Sequence, residues 1–243
     1  MAESHSPMEQ FEIKTWIPIQ IGDFNASFTN SSAFMILAVI AATALMVFAV
    51  RPRAGVPGRW QLLAELCYQF IAKMVSDNIG KEGRPYFPFI FTIFVFVLFG
   101  NFIGMLPYSF TFTSHIAVTL TMALVIFVLV TVIAFIKHGF HFFSFFLPAG
   151  VPIVLSPLMI AIEVISYFTR PLSLSIRLFA NMMAGHTLLK VVGGFVVPLG
   201  IFGVVPVAGL VAVTGLEFLI AFLQAYIFTI LTCIYINDAI NLH

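Results

Sequence analysis

Several ionisable and amide side chains lie within stretches of this sequence that are otherwise apolar. Arg177 is the most informative of them. An arginine near mid-membrane costs about 2.5–3.5 kcal/mol on insertion scales and about 10–17 kcal/mol in simulations of isolated helices. Such intramembrane charges usually act on ions or protons. The companions of Arg177 are acids, amides and one histidine: Glu163, Asn181, His186, Glu217, Gln224 and Asp238.

A purely structural role for Arg177 is the alternative, with Glu163 or Glu217 neutralising its charge. Structural arginines usually reach the membrane surface from helix ends, and Arg177 is too central for that. Arg170 and Lys190 are nearer the ends of the same stretch and could extend to lipid headgroups. The sequence therefore favours a functional role for Arg177 over a structural one.

Small and polar residues accompany Arg177 at helical spacing. Residues three and four apart share one side of a helix, and on the side of Arg177 these are Ser173, Ala180, Asn181 and Ala184. Small residues allow a neighbouring helix to approach closely. His186 follows nine residues later, about half a turn round the helix. We expect Arg177 to face another protein and His186 to point the opposite way.

The amino-acid composition is typical of a membrane protein. Of 243 residues, 61% are hydrophobic and 9% are charged, whereas soluble domains carry about 25% charged residues. The formal net charge of +1 gives no basis for nucleic-acid binding. Two cysteines in apolar surroundings form neither a zinc motif nor a disulfide framework. The sequence predicts no metal and no cofactor.

The apolar runs predict an all-α polytopic membrane protein with about five membrane-embedded helices and one interfacial amphipathic helix. A crossing needs about 20 apolar residues. Polar and apolar positions alternate with a helical period near Trp60, which is typical of a helix lying in the interface. We expect a polar segment over residues 1–30 and one membrane domain over 31–243. Its parts are a span at 31–50, the interfacial helix at 57–80, a hairpin of 86–106 and 115–137, and a polar hairpin of 152–190 and 205–238.

Basic residues predict the orientation. In this layout they gather in connections on one side: Arg51, Arg53, Arg59, Lys73, Lys81, Arg84 and Lys137. Lysine and arginine accumulate in cytoplasmic loops. We therefore expect the N-terminus outside and the C-terminus in the cytoplasm.

The polar hairpin is longer than the hydrocarbon core. Each arm would measure about 50 Å at 1.5 Å per residue, against a core about 30 Å thick. We therefore predict two long, strongly tilted helices packed antiparallel, with Pro171 as a possible bend. With a turn near Gly200, three pairs fall at matching depths, and these are Arg177 with Gln224, His186 with Glu217, and Glu163 with Asp238.

The segment from Arg170 to His186, RPLSLSIRLFANMMAGH, resembles the signature of subunit a of the F-type ATP synthase. The later segment EFLIAFLQAYIF, from Glu217 to Phe228, is similar to the last helix of that family, and GNFIGMLP at 100–107 also fits. The resemblance covers the chain from about Val50 onward.

The resemblance implies a stator subunit that couples transmembrane proton flow to rotation and ATP synthesis. Arg177 would face the essential carboxylate of a rotor ring of c subunits, with Asn181 and Gln224 beside it. His186 and Glu217 occupy two positions that carry the acid and the histidine the other way round in other bacterial members. Glu163 matches an acidic position toward the cytoplasm.

The same resemblance implies further partners and a location. The partners would be peripheral-stalk b subunits, the remainder of the complex and membrane lipid. The location would be a bacterial cell inner membrane, with the mitochondrial inner membrane as the alternative. We expect no catalysis by this chain alone, since no phosphate-binding loop or Ser-His-Asp arrangement is present.

Two other functions are open at this stage. A stand-alone secondary transporter or proton channel would also place charges in the membrane, although transporters usually show internal repeats. A haem-bearing respiratory subunit would need paired axial ligands, and of the histidines only His186 lies well inside a predicted span.

Overall fold

Helices dominate the structure, a computed structural model that describes residues 11–21, 24–25, 27–50, 58–106, 109–146 and 155–241. The α-helices within these ranges are α1 (Asn30–Val50), α2 (Arg59–Asn78), α3 (Phe87–Gly104), α4 (Ile116–His138), α5 (Ser156–Gly194) and α6 (Val204–Ile240). All but α2 are long and apolar enough to cross a membrane. The predicted all-α polytopic fold is confirmed. Residues 1–10, 51–57 and 147–154 of the predicted segments lie outside the described ranges.

Helix α2 packs beneath the bundle through one apolar face. Its buried residues are Ala64, Ile71, Met74 and Val75. The ring of Phe70 lies 5.9 Å from that of Phe94 on α3 and 6.1 Å from that of Phe222 on α6. Gln61 and Glu65 are joined by a hydrogen bond of 2.8 Å on the polar face. The helix therefore carries the two faces that the sequence predicts.

The chain before α1 forms short antiparallel strand pairs that the sequence did not predict. The strands are β1 (Thr15–Ile17), β2 (Gln20–Ile21), β3 (Phe24–Asn25) and β4 (Phe28–Thr29), paired β1 with β4 and β2 with β3. The Asn30 side chain accepts a hydrogen bond from the Lys14 amide and donates one to the Glu12 carbonyl. These two bonds fix the segment to the start of α1.

Helices α3 and α6 form the centre of the bundle. On α6, Ala221 and Ala225 are fully buried, and they belong to the same hydrophobic core as Ile90 and Phe94 of α3. Asn101 is also fully buried and donates a hydrogen bond of 3.3 Å to the Ala221 carbonyl. Close packing at small residues is the usual means of helix association in membranes, where lipid is as apolar as the core.

The connection between α3 and α4 folds back into the protein. Phe110, Thr111, Phe112, Thr113 and Ser114 are all buried. A Cβ added at Gly100 would overlap the Phe112 ring, and one added at Gly104 would lie 2.6 Å from Thr111 Oγ1. The two glycines therefore allow the connection to lie directly against the end of α3.

The segment after α4, for which the sequence gives no prediction, forms a 3₁₀ helix over Gly139–Phe146. Phe142 is buried, with its ring 6.1 Å from that of Tyr167 on α5. The His138 ring lies 3.1 Å from the Ile240 carbonyl at the end of α6. The segment thus packs against the ends of α5 and α6.

Helices α5 and α6 contain 39 and 37 residues. At 1.5 Å per residue they are about 58 Å and 55 Å long, well beyond a hydrocarbon core of about 30 Å. Helix α5 continues through Pro171, which is buried inside it. The turn between the helices uses Gly200, whose φ of +55° is favourable for glycine.

Candidate functional site

Polar contacts between α5 and α6 occur at three levels along the hairpin. His186 Nδ1 lies 3.7 Å from Glu217 Oε2. Farther from the turn, Asn181 donates a hydrogen bond of 2.9 Å to Gln224 Oε1. Farther still, the ion pair of Arg170 and Asp238 has a length of 3.1 Å. Residue numbers rise on one helix as they fall on the other, so the two helices are antiparallel as predicted.

The partners differ in part from the pairs that the sequence matched by depth. His186 and Glu217 do lie together. Gln224 contacts Asn181, one helical turn from Arg177. Asp238 contacts Arg170 rather than lying level with Glu163. The matching by depth assumed that α5 and α6 run straight and symmetrically from a turn at Gly200. The contacts also depend on the angle at which the two helices cross and on the lengths of the side chains.

Arg177 lies on an uncovered face of α5. Its side chain is exposed, and so are its small and polar neighbours, Ser173, Ala180, Asn181 and Ala184. Among the described residues, Arg177 has no hydrogen-bond or ion-pair partner. Glu163 lies 14 positions away on the same helix, about 21 Å along its axis. Neither Glu163 nor Glu217 neutralises Arg177 in the described structure, so the structural alternative has no support there.

His186 and Glu217 lie on the inner side of the hairpin. Their side chains are only 11% and 8% exposed. Within the described part of the chain, neither carboxylate oxygen of Glu217 has a hydrogen-bond partner. A Cβ at Gly185 would overlap Glu217 Oε1, so the glycine makes the space that the carboxyl group occupies. The distance of 3.7 Å exceeds a direct hydrogen bond, so one side chain must move slightly toward the other to form one.

Two cavities meet at His186. The larger measures about 740 Å³, and its lining includes Glu12, Lys14, Thr111, His186 and Lys190. The smaller measures about 10 Å³, close to the space that one water molecule needs, and its lining includes Asn181, His186 and Glu217. His186 is therefore the boundary between a wide cavity and the buried carboxyl group.

At the other end of the hairpin, Arg170 lies between two aromatic rings. Its guanidinium carbon is 5.9 Å from the centroid of Tyr167 and 5.4 Å from that of Tyr235. These contacts and the ion pair with Asp238 hold Arg170 within the protein rather than at the lipid headgroups. Glu163 is half-buried on α5 nearby in sequence, with no hydrogen-bond or ion-pair partner among the described residues.

Sequence reasoning missed Thr111 and Phe11 at this site. The Thr111 hydroxyl lies 2.8 Å from His186 Nε2, and the Phe11 ring stacks on the His186 ring with 6.5 Å between centroids. Both residues precede His186 by more than 70 positions, so no helical spacing connects them to it. The repeated threonines at 111 and 113, in a connection next to Gly104, were the available signal.

Within the described ranges, no group of three His, Cys, Asp or Glu side chains is placed to hold a metal ion. The described residues instead offer a cation without an ion-pair partner at Arg177, an imidazole at His186, and carboxyl groups at different levels, of which Glu217 is buried and Glu163 and Asp238 are half-buried. The imidazole and the carboxyl groups can bind and transfer protons, whereas the guanidinium stays protonated.

Comparison with known proteins finds matches to ATP synthase subunits. The family model described as ATP synthase A chain matches residues 32–237. ATP synthase subunit a of Rhodospirillum rubrum is 59% identical over 240 residues, which cover 98% of this chain and 100% of the relative. The protein of that name from Paramagnetospirillum magneticum is 57% identical over 245 residues, covering 98% and 99%. The one from Pelagibacter ubique is 55% identical over 240 residues, covering 98% of both chains.

Proposed function

The chain belongs to the ATP synthase A chain family, and on that premise we propose that it is the stator subunit of the membrane sector of an ATP synthase. Its task is to couple proton flow across the membrane to rotation of a ring of c subunits. The further partners are peripheral-stalk b subunits and the remainder of the complex, in a bacterial inner membrane. ATP chemistry belongs to those partners.

The exposed face around Arg177 carries this proposal. An unpaired arginine directed away from its own bundle is costly in lipid, so the face requires a partner with negative charge. A rotor subunit with one carboxylate at mid-membrane meets that requirement. The small neighbours Ala180 and Ala184 allow its helix to approach. A stand-alone transporter would direct such a charge toward its own interior instead.

Arg177 acts by changing the protonation of each rotor carboxylate. In lipid the carboxyl group is protonated, because burial disfavours its charged form by up to about 3–5 pKa units. Opposite a guanidinium the anion is favoured by about 1–3 units. Each unit corresponds to about 1.4 kcal/mol. The guanidinium itself stays protonated, so it cannot pass protons between the two sides of the membrane.

The outer proton path runs through His186 and Glu217. The 740 Å³ cavity, which has room for water, adjoins the imidazole on one side, and Glu217 lies on the other side. Imidazole exchanges protons near neutral pH, which suits a relay. The water-sized cavity beyond His186 continues to Asn181, which is exposed on the same face as Arg177. Protons therefore reach the rotor beside the arginine.

The inner proton path uses Glu163 and Asp238 at the cytoplasmic end of the hairpin. Asp238 is half-buried against Arg170, and two small cavities adjoin the pair. Because the two paths end on opposite sides of the arginine level, a proton must ride on the rotor to pass from one to the other. Each charge moved through 100 mV supplies about 2.3 kcal/mol for rotation.

Replacement of Arg177 tests the proposal. Arg177→Ala in the complete ATP synthase, reconstituted in liposomes, should abolish ATP-driven proton pumping measured with a pH-sensitive dye. Arg59→Ala is the control, because Arg59 is also exposed but lies on α2, which is not among the candidate spans. Normal coupled pumping by the Arg177 variant would refute the role given to this residue.

A further inference from the structure

Thr111 is a buried hydroxyl at the inner wall of the large cavity. It is 4% exposed and has two polar neighbours. One is the Gly104 carbonyl at 2.9 Å, to which the hydroxyl donates, and the other is His186 Nε2 at 2.8 Å. Both distances are those of good hydrogen bonds. The described contacts thus join the folded-back connection directly to the imidazole.

The hydroxyl has one hydrogen, so its two bonds must differ in direction. When Thr111 donates to the Gly104 carbonyl, its oxygen accepts from His186 Nε2. The neutral imidazole then carries its hydrogen on Nε2, and Nδ1 has a free lone pair. That lone pair faces Glu217 Oε2 at 3.7 Å. A free Nδ1 can accept the proton of a protonated Glu217 carboxyl group, which is left as the carboxylate.

We propose that Thr111 is a positioning residue that holds His186 with Nε2 toward the connection and Nδ1 toward Glu217. The inference rests on the proposed relay and adds a third member to it. A ring turned over by 180° would present carbon atoms to both Thr111 and Glu217. The Thr111 bond therefore selects the one ring orientation in which both nitrogens are useful.

Neighbouring residues fix Thr111 in this place. Gly104 has no side chain to displace it, since an added Cβ would lie 2.6 Å from Oγ1 and from Cγ2 of Thr111. The other nearby hydroxyl, of Ser109, lies 2.7 Å from the Leu106 carbonyl and 2.9 Å from that of Gly104. Its single hydrogen favours the nearer oxygen, which leaves Gly104 to Thr111.

The test compares three variants in the complete ATP synthase in liposomes. Thr111→Val keeps the shape but removes the hydroxyl, and Thr111→Ser restores it. Ser109→Ala is the matched control, because it removes a neighbouring hydroxyl, 2.9 Å from the same carbonyl, that makes no contact with His186. Two quantities are measured: the rate of ATP-driven proton pumping, and the imidazole ¹⁵N shifts of His186 by solid-state NMR, assigned by difference with His186→Gln.

We expect wild-type His186 to carry its hydrogen mainly on Nε2. Thr111→Val should mix the two tautomers and slow pumping about fivefold, the effect of one net hydrogen bond of about 1 kcal/mol. Thr111→Ser should restore both values, and Ser109→Ala should match wild type. Wild-type shifts that report hydrogen on Nδ1, or unchanged shifts and rates in Thr111→Val, would overturn the inference.

A further variant separates this inference from the proposed function. Glu217→Gln should slow pumping whatever Thr111 does. If Glu217→Gln pumps at the wild-type rate, the relay itself is wrong. If Glu217→Gln is slow while Thr111→Val is normal in rate and shifts, only the role of Thr111 fails.

Discussion

Replacing Gly185 by alanine tests whether the position of Glu217 controls proton transfer. The added Cβ would overlap Glu217 Oε1 and lie 3.0 Å from Cδ and 3.2 Å from Cγ. Unstrained contacts between such atoms begin near 3.4 Å. The carboxyl group must therefore move by roughly half an ångström or more, since the close packing of the interior leaves the added methyl group no other space. Glu217 is already 3.7 Å from His186 Nδ1. A shift of about 1 Å in reacting groups can slow a reaction about 100-fold, so we expect pumping to fall about 10- to 100-fold.

Gly193→Ala is the matched control for this prediction. Gly193 lies on the same helix, and an added Cβ there meets no atom within 4 Å. Both substitutions raise helix propensity by about 1 kcal/mol, so a general effect of replacing glycine in α5 would appear in both. ATP-driven proton pumping is measured in liposomes at equal amounts of assembled complex. Equal rates for the two variants would refute the steric reasoning about Glu217.

Two further predictions concern stability. Asp238→Asn breaks the partly buried ion pair with Arg170, which is worth about 1 kcal/mol, and should lower the Tm of the purified complex by about 2–4 °C. Breaking the more exposed ion pair of Lys137 and Glu82 should lower the Tm less. Equal Tm shifts in scanning fluorimetry would contradict this prediction. Burial lowers the pKa of His115 from 6.5. The stability of the folded protein with a neutral His115 is therefore full above pH 6.5 and is lost as the pH falls below that value. Tm should therefore fall less between about pH 7 and pH 5 in His115→Asn than in wild type.

The membrane helices could be predicted because the bilayer imposes a simple rule. Backbone groups in hydrocarbon must bond within their own segment, so a run of about 20 apolar residues becomes a helix regardless of its neighbours. The isolated position of Arg177 was predictable for a related reason, because small residues at helical spacing mark its face. Both predictions, of the membrane helices and of the exposed face around Arg177, rest on patterns between residues close together in the sequence.

The sequence could not predict contacts that depend on the path of the chain between helices or on how the helices cross. Thr111 reaches His186 because the α3–α4 connection folds back against Gly104, and no periodic pattern shows such a fold. Arg170 was expected to reach headgroups, yet Asp238 and two tyrosine rings compete for it inside the protein. That competition depends on how α5 and α6 cross, which hydrophobic spacing does not determine.

If the proposed function holds, the position of Asn181 explains how α5 can carry both the fixed charge of Arg177 and the proton relay of His186. Arg177 and His186 lie on opposite sides of α5, so protons leaving the buried pair must pass round the helix to reach the rotor. Asn181 lies between them in sequence, lines the cavity of Glu217 and is exposed on the face of Arg177. Its amide, bound to Gln224, is polar but not ionisable. It can orient a passing proton carrier without storing a charge of its own, so that among the described residues at this level Arg177 is the fixed charge that a rotor carboxylate would meet.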